Sequence, residues 1–239
     1  MLRRAIMLSL LLLWCFGHGP RAEAGDSNDL PALMQSAMAG LRTAASYGRT
    51  GNIALAQIEL DDARRAWTQL SRLTEQPIAP YVAKSFADLL ATGRERLSMA
   101  DDALTAGDSA GAAADIATLR RALHALRREA GVVELSDCVF DLSSAMDELR
   151  SVATRFGAAK ADTSEVVQAG TALRERLQRC NGLAPPDIAG QAEFRRLIDG
   201  AIASAGEIGS AARTGDAGLV HRYQIELQSF VNLLDFRFG

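Results

Sequence analysis

Residues 30–45 read LPALMQSAMAGLRTAA. Leu30, Leu33, Met34, Ala37, Met38, Leu41, Ala44 and Ala45 recur at spacings of three and four, which sets them along one face of an α-helix. Leu219, Val220, Tyr223, Leu227, Phe230, Val231 and Leu234 repeat the pattern near the other end. No segment alternates apolar and polar residues over a strand's length. Alanine, the best helix former, is frequent. The chain reads as all-α.

Its helices are punctuated by one kind of turn. Gly51-Asn52, Gly107-Asp108 and Gly215-Asp216 each put a glycine where a helix stops and an Asn or Asp where the next begins. Glycine takes the left-handed conformation at a helix end, and the Asx oxygen accepts from the free N–H groups of the following turn. Together with a turn near residue 160, these points lie about 54 residues apart. That spacing predicts four helical hairpins, hence eight helices, with Gln76-Pro77 to Pro80 and Leu183 to Asp187 as longer links.

A second periodicity is stricter. At an offset of 108 residues, Ser36, Ala37, Met38, Leu41, Arg42 and Ala45 match Ser144, Ala145, Met146, Leu149, Arg150 and Ala153. Phe86, Leu89, Ala103, Gly107, Asp108, Leu119, Leu126 and Gly131 match Phe194, Leu197, Ala211, Gly215, Asp216, Leu227, Leu234 and Gly239. Alanine bias alone would not align Phe, Gly-Asp and Leu together. The expectation is a tandem duplication in which residues 25–131 and 132–239 are each a four-helix bundle.

The 239 residues are 48% hydrophobic and 23% charged, which excludes disordered and collagen-like classes. A formal charge of −3 argues against a nucleic-acid binder, which needs a basic stripe to displace counterions. Residues 1–24 read as an export signal: Arg3 and Arg4, an apolar run from Ala5 to Phe16, then Ala22-Glu23-Ala24 as the cleavage site. Trp14 before Cys15 argues for plain cleavage rather than lipid anchoring. Cleavage removes Cys15 and His18 and leaves Cys138, Cys180, His124 and His221. Two cysteines in an exported, periplasmic or secreted chain predict one disulfide. Cys138 falls near the start of the fifth helix and Cys180 near the end of the sixth, at one end of an antiparallel hairpin.

Asp29-Leu30 followed by Met34, then Phe86, Asp102-Ala103-Leu104, Gly107 and Leu119, resemble the small periplasmic four-helix cytochrome b bundle and, more distantly, the cytochrome c-prime bundle. The resemblance implies a four-helix bundle and a b-type haem, with Met34 as the methionine ligand on the first helix. The family's histidine position falls on Arg127, and His124 lies one turn earlier, so Met34 with His124 is the ligand pair the resemblance implies. The second half has Leu142 and Asp235 at the corresponding places. No C-x-x-C-H occurs, which excludes covalent haem attachment by that motif.

Other candidates are set by composition. His221, Glu59, Asp61, Asp62, Asp101 and Asp102 are the residues from which a metal site would be drawn, although solvated helix faces carry the same pattern. Arg120, Arg121, Arg127 and Arg128 read as a solvated, ion-paired face, and His124, outside a haem site, as a surface or boundary residue. Tyr47, Arg49 and Asn52, with Arg213 and Asp216 as their echo, form turns whose arginines suit a partner's carboxylate and whose caps are already explained structurally. Phe236 and Phe238 are expected to pack against the bundle. No Ser-His-Asp arrangement is recognisable. The expected function is non-enzymatic binding of a partner protein or small ligand in the groove between the halves, without a cofactor; the alternatives are a b-type haem electron carrier and a periplasmic metal-binding protein.

Overall fold

The structure is a computed structural model that describes residues 30–73 and 79–239. Among these residues there are nine helices and no strand: α1 (Leu30–Arg49), α2 (Ile53–Arg72), α3 (Ala83–Thr105), α4 (Ser109–Glu129), α5 (Leu135–Gly157), α6 (Thr163–Leu183), α7 (Pro186–Ala189), α8 (Ala192–Arg213) and α9 (Ala217–Phe238). The chain is all-α. The export signal with its cleavage site, Cys15, His18 and the Gln76-Pro77 link lie outside the described residues. No described helix is long and apolar enough to cross a membrane.

The expected count of eight helices is one short. The extra element, α7, is a single turn inside the stretch read as a link. Pro186 stands at its first position, where a fixed φ suits the helix and the missing N–H has no helical partner anyway.

The glycine turns form as their chemistry requires. Gly51, Gly107 and Gly215 have φ of 78°, 78° and 74°. Asn52, Asp108 and Asp216 accept the amides of Leu55, Gly111 and Leu219 at 3.3, 2.8 and 2.8 Å. Each helix end closes with a 6→1 hydrogen bond: Asn52 N–H to Tyr47, Asp108 N–H to Ala103, and Asp216 N–H to Ala211. These bonds satisfy carbonyls that the helix itself leaves free. Between α5 and α6 the same closure runs from Lys160 to Arg155, but the left-handed residue is Ala159, at φ 55°.

Apolar stripes of α1–α4 enclose one core around Met34, Leu41, Leu60, Trp67, Phe86 and Leu123; those of α5–α9 enclose a second around Leu142, Met146, Leu173, Phe194, Ile208 and Leu227. In each set the long helices pack with their chain neighbours, and the first packs back on the last, α1 on α4 and α5 on α9. The expected boundary at residues 131/132 falls in the connection between α4 and α5. Trp67 and Gly93 show how closely α2 and α3 approach. The indole N–H donates to the Leu90 carbonyl at 3.0 Å, and a Cβ at residue 93 would lie 1.9 Å from the ring. Phe86 and Phe194, matched in the sequence, are both fully buried.

Cys138 and Cys180 are bonded, with Cα atoms 5.4 Å apart, joining the start of α5 to the end of α6. The closed loop spans 42 residues, worth about 4 kcal/mol on the chain-entropy view.

Two outcomes are expected from urea denaturation. Replacing both cysteines by serine lowers unfolding free energy by roughly 2–5 kcal/mol. Ala159→Gly raises it by up to about 1 kcal/mol, because glycine removes the Cβ penalty of the left-handed conformation at some cost in unfolded-chain entropy. A loss of stability in the glycine variant would contradict the strain assigned to Ala159.

Candidate functional site

The two halves meet at a corner. Gly131, at φ 73°, ends α4, and Val132 N–H returns to the Arg127 carbonyl at 2.9 Å. The chain then enters α5 through Glu134. A helix C-terminus, carrying partial negative charge, thus lies beside a helix N-terminus, carrying partial positive charge. A cation suits the first and an anion the second. Arg127 is in the last turn of α4 and Asp137 in the first turn of α5.

Both are buried, and they pair. Arg127 Nε donates to the two Asp137 oxygens at 3.1 and 3.2 Å, and Nη2 donates to Oδ2 at 3.0 Å. His124 Nδ1 lies 2.6 Å from Asp137 Oδ1. With the carboxylate ionised, that nitrogen carries the proton and donates. The Glu134 amide gives Asp137 Oδ2 a further bond at 3.0 Å, part of a capping box at the start of α5. Glu134 in turn reaches Arg127 Nη2 at 2.8 Å.

Around this pair the contact widens. The Phe140 ring stacks on His124 at a centroid distance of 4.1 Å, and the Arg120 guanidinium lies 4.9 Å from its centroid. Arg120 then forks across to Asp235 of α9, with Nη2 to Oδ1 at 2.6 Å and Nη1 to Oδ2 at 3.2 Å. Tyr47 of α1 meets Phe236 of α9 edge to face at 5.9 Å. Arg42 of α1 donates to the main-chain oxygen of Gly239, and its Nε is buried without a partner.

Two expectations are corrected here. Arg120 and Arg127 are not on a solvated face but buried, at 8% and 2% exposure; Arg121 and Arg128 do face water. His124 is not at a surface or boundary but 1% exposed. Carboxylates from the other half, which helix periodicity does not reveal, make that burial tolerable.

The electrostatics follow from the packing. Burial acts to raise the Asp137 pKa, but hydrogen bonds from His124, Arg127 and the Glu134 amide outweigh it and hold it below 3.8, its ordinary value. Burial acts to lower the Arg127 pKa, and the bonds to Asp137 and Glu134 overcome it, so the guanidinium is held more firmly protonated. Burial raises the Tyr81 pKa, against the opposing charge of Arg127. Arg42 moves downward: its desolvation and the like charge of Arg120 outweigh Asp235 and Glu59.

Beside the corner a cleft of about 490 Å³ opens between the halves. Met38 and Arg42 of α1 line one side; Leu135 of α5, Ile188 of α7, Arg237 and Phe238 line the other. Such a volume, mostly apolar walls and a few polar groups are what small-ligand sites offer.

The remaining candidates are put to separate uses. Met34 is wholly buried in the first core, while His124 is engaged with Asp137 and Phe140. Among the described residues, no group of three or more His, Cys, Asp or Glu side chains is placed to hold a metal ion, and His221 is exposed. Asp61 and Asp101 both approach Arg64, at 3.4 and 2.9 Å; Asp62 pairs with Arg65, and Glu59 accepts from the Thr43 hydroxyl at 2.6 Å. Of the turn residues, Asn52 and Asp216 cap helices, Tyr47 packs on Phe236, and Arg49 and Arg213 reach Ser46 and Ser210 of their own helices at 3.5 and 3.0 Å. Phe238 packs edge to face on Phe194 at 5.2 Å. Sequence reasoning passed over Glu134, Asp137 and Phe140. A signal for the first two was present, because two acidic residues three apart at a helix start resemble a capping box.

Asp137→Asn leaves Arg127 buried with half its charge partner and is expected to cost about 3–5 kcal/mol at pH 7. The pH dependence has a defined sign. Since the folded pKa lies below 3.8, the carboxylate's contribution is complete at neutral pH and is lost as pH falls through the folded value. Denaturation curves of wild type and variant should therefore converge in acid. Equal stabilities at pH 7 would remove Asp137 from the centre of the junction.

Comparison with protein-family models, with curated proteins and with solved structures finds no match to this chain.

Proposed function

We propose that the chain is a non-enzymatic, exported helical-bundle protein, built by tandem duplication, that binds a small ligand or partner in the cleft between its halves. The observation carrying this reading is that the cleft takes its walls from both halves and is lined mainly by apolar side chains beside two arginines. A wall shared by two units is a common place for ligand sites, because neither unit closes the space alone.

Several features support the rest. The offset of 108 residues relates Gly107 to Gly215 and Asp108 to Asp216, and these residues make the same caps in both halves. The signal-like residues 1–24 and the Cys138–Cys180 bond agree with export, since disulfides persist in oxidising compartments. A catalytic reading draws no support from the junction, where the carboxylate, imidazole and guanidinium are spent on one another. Fold alone assigns no activity to a helical bundle.

Ser136, half-buried on the cleft wall, offers a direct test. Native mass spectrometry of the protein purified from exporting cells should show a bound small molecule, or cross-linking should map a partner to the cleft. Ser136→Trp should abolish either while leaving thermal stability within about 0.5 kcal/mol, as for most partly exposed substitutions. A wild-type protein that carries nothing and cross-links to nothing at the cleft would refute the reading.

A further inference from the structure

Charge matching around the cleft leaves one group over. Arg120 forks onto Asp235, Arg237 Nε lies 3.2 Å from Glu193, and Arg127 holds both Glu134 and Asp137. Among the described residues Arg42 has no carboxylate of its own. Both Asp235 oxygens are taken by Arg120, and Glu59 accepts from Thr43 instead. Arg42 donates only to the Gly239 main-chain oxygen, and its buried Nε finds no acceptor. A buried guanidinium donor without an acceptor is costly, and a charge-assisted bond to an anion is the strongest way to satisfy it. The same Arg42 stands on the wall of a cleft whose other surfaces include Met38, Leu135, Ile188 and Phe238.

We infer that the cleft binds an amphipathic monoanion, with an apolar tail laid against Met38, Leu135, Ile188 and Phe238 and a carboxylate-like head drawn to Arg42. This rests on the cleft reading above and adds a ligand class to it. A single negative charge matches the single unpaired cation. A dianion would have to draw Arg237 away from Glu193, and a cation would meet Arg42 with like charge. An uncharged tail would gain the apolar contacts but leave Arg42 as it is.

The probe is dodecanoate, with dodecan-1-ol as its neutral counterpart, titrated below their micellar concentrations into the full-length processed protein and followed by calorimetry. The expected result is saturable binding of dodecanoate at one site per chain, at least tenfold tighter than dodecan-1-ol. Arg42→Met should weaken dodecanoate at least tenfold and leave dodecan-1-ol unchanged, whereas Arg42→Lys, which keeps the charge, should retain most of the affinity. Thermal denaturation in parallel separates binding from a merely structural role. An Arg42→Met protein that is less stable yet binds dodecanoate as wild type does would show that Arg42 only staples the Gly239 main chain, and would overturn the inference. Equal affinity for acid and alcohol would overturn it too, while leaving the cleft as a binding site. Binding of neither probe also overturns it, and the native mass spectra then decide separately whether the cleft holds something else.

Discussion

Asp137 carries its charge at 2% exposure, where water cannot solvate it, so every lone pair it holds must be met from within the protein. Four groups do so: the His124 ring, the Arg127 Nε and Nη2, and the Glu134 amide. Three of these come from side chains of α4 and one from the turn that starts α5, so the carboxylate fixes the angle at which the second set of helices leaves the first. The helix ends add their own field in the same sense, with the guanidinium at a C-terminus and the carboxylate at an N-terminus. The positions of Leu135 and Ser136, and hence one wall of the cleft, follow from that anchoring.

The two halves share a frame and differ where they touch. Arg120, His124 and Arg127 lie on one face of α4, and the offset of 108 residues carries them to Gln228, Asn232 and Asp235 on α9. On α4 the face is charged and buried beneath α5 and α9. On α9 the amides bond to each other, Gln228 Nε2 to Asn232 Oδ1 at 3.0 Å, and only Asp235 reaches the other half. The change from Arg127 to Asp235 at matched positions reverses the charge, and each charge finds its opposite in the other half. Identical copies would have set like charges against each other at one of these contacts. The divergence is therefore concentrated where the copies must recognise one another, while Phe86 and Phe194 continue to fill equivalent core positions.

Much of the fold was legible because its causes are local. A glycine followed by Asn or Asp needs only its own turn to act, and Gly51, Gly107 and Gly215 all take the left-handed conformation expected of them. The cysteine pairing was legible for a similar reason, since helix lengths and a hairpin turn bring Cys138 and Cys180 to one end. Two local features still escaped. Ala159 adopts a conformation that its side chain disfavours, held there by the helix closure around it, and α7 forms a single turn within a short link. The candidate site was far less legible. A guanidinium on a helix surface reads as solvated unless its partner is known, and Arg120 finds its partner 115 residues away. His124, read as a haem ligand or a boundary residue, is instead occupied by Asp137.

Residue order by itself determined the helical class, the helix ends, the internal repeat and the place of the disulfide. Each of these depends on spacings of a few residues, or on a periodicity that runs along the chain. Tertiary structure alone decided which charges are buried, which arginine is left without a carboxylate, and where a cleft opens. Burial and ion pairing depend on which faces meet in space, and the apolar stripes that drive helix packing leave the polar faces free to meet in more than one way.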